Sequence, residues 1–189
     1  MSHKEQVIFC KRVRNLYPEY FRRKTVIDVG SLDINGNNKR FFKNCNYLGI
    51  DLIPGKNVDI IGPAHEVLKA VGADYSMKYK KYFLKSKIDT IISTEALEHD
   101  RHIEDTLTEM YKALRKGGLL VITAGGDGRE EHGTTEKHSW CSPATNDYYK
   151  NVSNEMFLEI LPPNLFDTYF INQNEKSADF QFFGIKRRA

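Results

Sequence analysis

The sequence predicts an α/β fold: a mostly parallel, seven-stranded sheet between helical layers, with an antiparallel edge strand. Three observations predict it. Short β-branched or aliphatic runs recur at Thr25–Val29, Tyr47–Asp51, Val58–Ile61, Ile88–Ser93 and Leu119–Thr123, as expected of buried parallel strands. Amphipathic helical patterns alternate with these runs. Two further strand patterns, Leu165–Ile171 and Asp179–Ile185, lie close together near the end, as an antiparallel pair does.

Taken in order, Glu5–Leu16 reads as a helix with Val7, Cys10, Val13, Leu16 and Tyr17 near one face, ended by Pro18. The first strand, Thr25–Val29, stops at Gly30. A loop rich in Asp, Asn and Gly follows, and Asn37–Lys43 then offers a basic first helix carrying Phe41 and Phe42. Strand, glycine turn and helix open a Rossmann-like nucleotide site. Glycine lets a ligand approach the backbone closely. Asp28 lies inside the strand end, where an unpaired carboxylate is costly to bury. It therefore either holds the loop or meets a cationic ligand. The second strand ends on Asp51, about twenty residues after the turn, the spacing at which a carboxylate reaches ribose hydroxyls in such folds.

Pro54–Gly55 makes a turn, Gly62–Pro63 breaks the third strand, and Ala64–Val71 is a short helix. In His102–Arg115, Ile103, Leu107, Met110, Tyr111 and Leu114 recur at three- and four-residue steps, and Gly117–Gly118 is the expected terminator. Ala124–Lys150 lacks periodicity and reads as a functional loop or lid. Ser153–Leu161 is a helix capped by Ser153 and stopped by Pro162–Pro163.

The 189 residues suffice for one domain with a full core, and 40% hydrophobic with 28% charged residues is ordinary globular composition. A net charge of +3 gives no general case for nucleic acid or membrane binding. The local basic clusters are Lys11, Arg12 and Arg14; Arg22–Lys24; Lys78, Lys80 and Lys81; and Lys186–Arg188. They read as solvated faces. Cys10, Cys45 and Cys141 are widely spaced, against a disulfide framework or structural zinc site. The polar start shows no secretory signal, and no apolar run approaches the roughly 20 residues of a membrane span. A cytoplasmic protein is expected.

The order of motifs resembles that of the class I S-adenosylmethionine-dependent methyltransferases, and more narrowly the methyltransferase-domain group found in glycan and natural-product pathways. Asp28-x-Gly30 stands for the first motif and Tyr47-Leu-Gly-Ile-Asp51 for the second. Ile91-Ile-Ser-Thr-Glu-Ala-Leu-Glu-His99 resembles the fourth, and Leu114-Arg-Lys-Gly-Gly-Leu-Leu-Val-Ile122 the strand after it. The likeness spans nearly the whole chain and implies a Rossmann-like three-layer sandwich in one domain, 1–189. Residues 1–24 would form an N-terminal helical segment and 124–150 an active-site loop or lid. It implies S-adenosylmethionine as cofactor, S-adenosylhomocysteine as product, and a cofactor site at Asp28, Gly30, Ser31, Gly36, Asp51, Leu52, Ala64, His65, Thr94 and Glu95. Two positions depart from the family's glycine motif: Leu32 and Ile34 replace its second and third glycines, and Gly36 stands in on a longer loop. Gly62-Pro63-Ala64-His65 occupies the place of the third motif, which passes adenine recognition to backbone groups or His65.

Methyl transfer is chiefly a positioning problem, but an oxygen acceptor must also lose a proton. Candidate residues cluster in Glu98-His99-Asp100-Arg101-His102 and in Glu130-Glu131-His132, both beyond strand ends. His132 or His99 is the expected base, with Asp100 as orienter or alternative base; Asp100 also makes a good helix N-cap. A divalent metal is the other role for such a set. The spacing matches no fixed ligand template, so no metal is assigned. The expected acceptor is a sugar hydroxyl on a glycan or nucleotide-sugar, with Trp140, Tyr148 and Tyr149 of the long loop stacking on it and Arg129 and Lys137 meeting acidic groups. RNA or protein methylation, and a non-catalytic cofactor-binding scaffold, are the competing functions.

Overall fold

A computed structural model describes residues 3–72 and 88–188; the Lys78, Lys80 and Lys81 cluster lies outside the described residues. The strands are β1 (Thr25–Val29), β2 (Asn46–Asp51), β3 (Ile60–Ile61), β4 (Ile88–Thr94), β5 (Leu114–Gly125), β6 (Phe166–Asn174) and β7 (Asp179–Lys186). They form one seven-stranded sheet in the order β3-β2-β1-β4-β5-β7-β6. Pairing is parallel from β3 to β5, and β7 runs antiparallel to both β5 and β6.

The helices are α1 (Lys4–Leu16), α2 (Ala64–Gly72), α3 (Ile103–Ala113) and α4 (Asn154–Ile160). Every residue of β1 is buried, as its unbroken apolar run requires of a strand covered on both faces. Alternate strand residues serve two separate cores. Ile27, Ile91, Leu120 and Phe182 join Leu68, Leu107, Met110 and Phe157 from α2, α3 and α4. Val26, Ile92, Val121 and Phe183 join Phe9, Cys10 and Val13 from α1, with Tyr20, Phe21 and Phe41. The order of strands reverses between β1 and β4, so their C-terminal ends and the loops that follow diverge and leave a crevice.

Five local expectations are corrected. The helix expected at Asn37–Lys43 is a single 3-10 turn, Asn38–Phe41. Phe42 leaves it in extended geometry to stack on Phe21 and pack on Tyr47, which ends the helical run. The helix expected to reach Arg115 ends at Ala113, and β5 begins at once. Arg115 Nε donates to Asp89 Oδ1 at 2.7 Å, which fastens the segment to β4. Lys186 Nζ donates to the carbonyls of Tyr111 and Leu114, supplying partners that the end of α3 would otherwise lack. Gly117, expected to stop the helix, instead lies in β5 with φ of 69°. On α1, Leu16 is 54% exposed, whereas Gln6 and Phe9 are buried beside Cys10 and Val13. The third strand shrinks to Ile60–Ile61. Ser153 caps α4 as expected, its Oγ accepting from Met156 N.

Candidate active site

The crevice is a cavity of about 580 Å³ at the C-terminal ends of β1, β2 and β4. All ten residues expected to bind cofactor line it: Asp28, Gly30, Ser31, Gly36, Asp51, Leu52, Ala64, His65, Thr94 and Glu95. His99 and Asp100 line it too. His132 is not among the lining residues.

At the glycine turn, Gly30 N and Ser31 N both donate to Ile50 O, so β1 bends toward β2 as it ends. Gly30 has φ of 72°, and a Cβ there would lie 2.2 Å from Ala96 Cβ. No side chain fits between the loops after β1 and β4 at that point. The turn continues without the family's second glycine because Leu32 N donates to Asp51 Oδ2, at 2.9 Å. Asp51 Oδ1 accepts from Leu52 N. Burial pushes the Asp51 carboxyl above the usual range, against these backbone bonds.

Asp28 resolves as the holder of the loops. It is 1% exposed and accepts from Tyr47 Oη, Asn38 Nδ2 and Asn57 Nδ2. Burial nevertheless pushes its carboxyl up to about 7. Asn38 Nδ2 also donates to Thr94 Oγ1, tying the 3-10 turn to β4. His65 and His102 face each other on the cavity lining with ring centroids 4.6 Å apart. Glu95, at φ of 54°, turns its carboxylate into the wall, where it accepts from Thr123 Oγ1 and lies 3.4 Å from His3 Nε2.

Asp100 is engaged just before α3: Oδ1 accepts from His102 N and Oδ2 from Thr106 Oγ1, but the N-cap position expected for it is taken by His102, because a 3-10 turn ending at His99 leaves Asp100 two residues short of the helix. His99 and His132, distant in sequence, pack edge to face with centroids 5.3 Å apart. Burial pushes the His99 imidazole down to about 4 and lowers His132 as well, so both are neutral near pH 7. Sequence reasoning placed Glu98, which stands beside them fully buried, in the candidate cluster without a role of its own, and gave none to Gly133, where a Cβ would lie 2.7 Å from His99 Cε1. A glycine directly after His132 was the available signal.

The long loop contributes Cys141, Ser142, Pro143, Ala144, Thr145 and Asp147 to the cavity wall. The aromatic residues expected to stack on an acceptor are elsewhere. Trp140 is 57% exposed, Tyr148 packs under Arg101, and Tyr149 packs on His99 and His132. Arg129 is held by Asp179 and Lys137 by Glu130, so their expected partners are the protein's own carboxylates. Among the described residues no helix is long and apolar enough to cross a membrane.

No curated protein sequence matches the chain. Solved structures do. A S-adenosylmethionine-dependent methyltransferase from Archaeoglobus fulgidus superposes with a TM-score of 0.59 at 14% identity, covering 96% of this chain and 94% of the other. The Burkholderia thailandensis 1,6-didemethyltoxoflavin-N1-methyltransferase gives 0.57 at 14% identity, covering 94% and 78%. Haemonchus contortus phosphoethanolamine N-methyltransferase 2 gives 0.56 at 13% identity, covering 97% and 52%. Similarity at this level establishes the fold. The family profile described as "Methyltransferase domain" matches residues 27–122, more than half of the sequence. That stretch runs from the strand of Asp28 through Asp51 and His99 to β5, and on this match the chain belongs to the methyltransferase-domain family, the S-adenosylmethionine-dependent class I methyltransferases.

Proposed function

We propose that the protein methylates a hydroxyl of a small polar acceptor, a sugar on a nucleotide-sugar or glycan. The cofactor fits the donor set on the cavity wall. Asp51 keeps acceptor capacity beyond its backbone bonds to Leu32, Leu52 and Ile53, as a ribose hydroxyl requires. Asp28, Asp51, Glu66, Glu95, Asp100 and Asp147 make the lining acidic, which suits a cationic sulfonium and ammonium. When bound, S-adenosylmethionine supplies a methyl group on a positively charged sulfur, which departs with the bonding pair as S-adenosylhomocysteine. Two of the structural neighbours were crystallised with that cofactor or product, and their named acceptors are small molecules.

The observation that carries the oxygen-acceptor reading is the neutral histidine pair at the cavity. His99 lies on the wall, and His132 packs behind it. A hydroxyl that gains a methyl must give up its proton, and a neutral imidazole beside it can direct that proton away. An amine acceptor already carries the lone pair it needs. The loop residues Ser142, Thr145 and Asp147 give this end of the cavity hydroxyls and a carboxylate suited to a polyhydroxylated ligand. Transfer of labelled methyl onto a panel of sugars, nucleotide-sugars, RNA and protein tests the reading. Sugars are expected to lead. Transfer to RNA or protein exceeding every sugar would overturn it, and cofactor binding with no transfer to any acceptor would leave a scaffold.

A further inference from the structure

We propose that Glu98, His99 and His132 hold a divalent metal ion against the inner wall of the cavity. The proposal rests on the oxygen-acceptor reading for its role, but not for its existence.

The geometry is that of a ligand set. A donor atom from each of the three residues lies within 4.8 Å of the other two, and all three residues are buried. Glu98 Oε1 lies 3.9 Å from His132 Nε2. Ligands about 2.1 Å from a shared ion lie roughly 3–4 Å apart, so small side-chain adjustments close the site. Glu98 is 0% exposed, yet neither of its carboxylate oxygens makes a hydrogen bond of good geometry, the backbone of Glu98 and Gly125 being only weak partners. His99 Nδ1 and His132 Nε2 are likewise buried without one. Burying even one such group unpaired is costly, and here all three neighbouring residues carry one.

The supporting contacts orient the set. His132 Nδ1 lies 3.1 Å from Glu130 O, so this nitrogen carries the proton and leaves the Nε2 lone pair facing Glu98. Gly133, at φ of 68°, brings the backbone against the His99 ring where a side chain would collide. Tyr149 packs its ring on both histidines at 5.4 and 5.0 Å. A proton on Glu98 is the simpler occupant, and burial does push that carboxyl up to about 8. A proton leaves the two histidine nitrogens unpartnered. A single cation satisfies all three side chains.

One carboxylate and two imidazoles favour a first-row divalent ion such as Mn²⁺, Co²⁺ or Zn²⁺ over Ca²⁺. His99 belongs both to this set and to the cavity wall, so with the ion bound an acceptor hydroxyl arriving there would be polarised toward loss of its proton by the ion's open positions, in place of an imidazole base.

The test uses the full chain, freed of metal with chelator and titrated with MnCl₂. One Mn²⁺ per chain is expected, with electron spin echo modulation from directly bound histidine nitrogen. Glu98→Gln and His132→Ala should each weaken binding roughly tenfold or more, while Asp167→Asn on the far edge of the sheet should not. The wild-type nitrogen signal decides the matter even where a variant fails to fold. Absence of stoichiometric binding, absence of nitrogen modulation, or unchanged affinity in both variants would overturn the site. Methyl transfer to a sugar that persists in EDTA, without Mn²⁺ binding, overturns the site and leaves the acceptor reading. Mn²⁺ binding with no transfer to any sugar does the reverse.

Discussion

Two histidine–carboxylate clusters of similar size lie at the cavity, and they differ in how far their carboxylates are bonded. In His3, Glu95 and Asp179 each carboxylate has at least one hydrogen-bonded oxygen: Asp179 accepts from Arg129 Nη1 and Ser177 Oγ and Glu95 Oε1 from Thr123, while Glu95 Oε2 and His3 Nε2 meet only as an ion pair, His3 lying between the two carboxylates. In Glu98, His99 and His132 the carboxylate has no oxygen so bonded. The first cluster ties the segment before α1 to β4 and β7. The second carries an electrostatic cost with no structural return, which is where a functional role is to be sought.

The largest effect should come from breaking this comparison directly. Asp179→Ala leaves Arg129 and His3 without their shared carboxylate at a fully buried position. It should destabilise the fold by about 3–5 kcal/mol in urea denaturation. Glu98→Gln replaces a carboxyl that burial already holds largely protonated near pH 7, and in metal-free protein should change stability by no more than about 1 kcal/mol, or raise it. The opposite ranking would mean that the Glu98 cluster is the structural one.

Asp51 stands between these extremes, bonded to backbone amides yet open to the cavity. Asp51→Ala should weaken binding of S-adenosylhomocysteine by roughly 2–3 kcal/mol, read by calorimetry, because charge-assisted bonds to the ribose and the support of Leu32 are lost together. Undiminished affinity would remove Asp51 from the cofactor site.

His3 sharpens the comparison through pH. Burial alone would lower its pKa, but Asp179 and Glu95 outweigh that and raise it from 6.5 to about 9. The folded value lies above the unfolded one. Its contribution is therefore fully present below pH 6.5 and is lost as pH rises through about 9. The side chain is 25% exposed, so the contribution is discounted to roughly 1–2 kcal/mol. The stability difference between the wild type and His3→Ala, followed from pH 6 to 10, should fall across that window. A difference that stays flat would show that the His3 charge is not what the cluster holds.

What was legible in the sequence follows from how local its cause is. Thr25–Val29 forms a strand with the bounds its β-branched run suggested, and Ser153 caps α4, because each depends on neighbouring residues alone. The residues expected to bind cofactor meet on the cavity lining because strand ends and turn chemistry place them together there. The start of β5 was not, since Leu114 is drawn into the sheet by Arg115 reaching Asp89 across the fold. The short turn at Asn38–Phe41 likewise depends on Phe42 finding Phe21. His99 and His132 were each singled out, but their meeting, and Glu98's place beside them, depends on the path of a loop that has no periodicity to read.

That loop supplies the smallest predicted effect and the finest test of the acceptor end. Trp140 is 57% exposed and touches His138 rather than the cavity, so Trp140→Ala should alter stability by no more than about 0.5 kcal/mol and leave cofactor affinity unchanged. Tyr149, by contrast, packs on both histidines, and its buried hydroxyl lacks a partner. Tyr149→Phe keeps the ring and removes only that hydroxyl. If the hydroxyl serves the acceptor or its proton, Tyr149→Phe should lower turnover several-fold while Trp140→Ala does not. If instead the loop folds down over bound acceptor, Trp140→Ala should raise the acceptor KM and Tyr149→Phe should leave it alone. The two variants thus separate a wall already formed around the histidines from a lid completed by substrate.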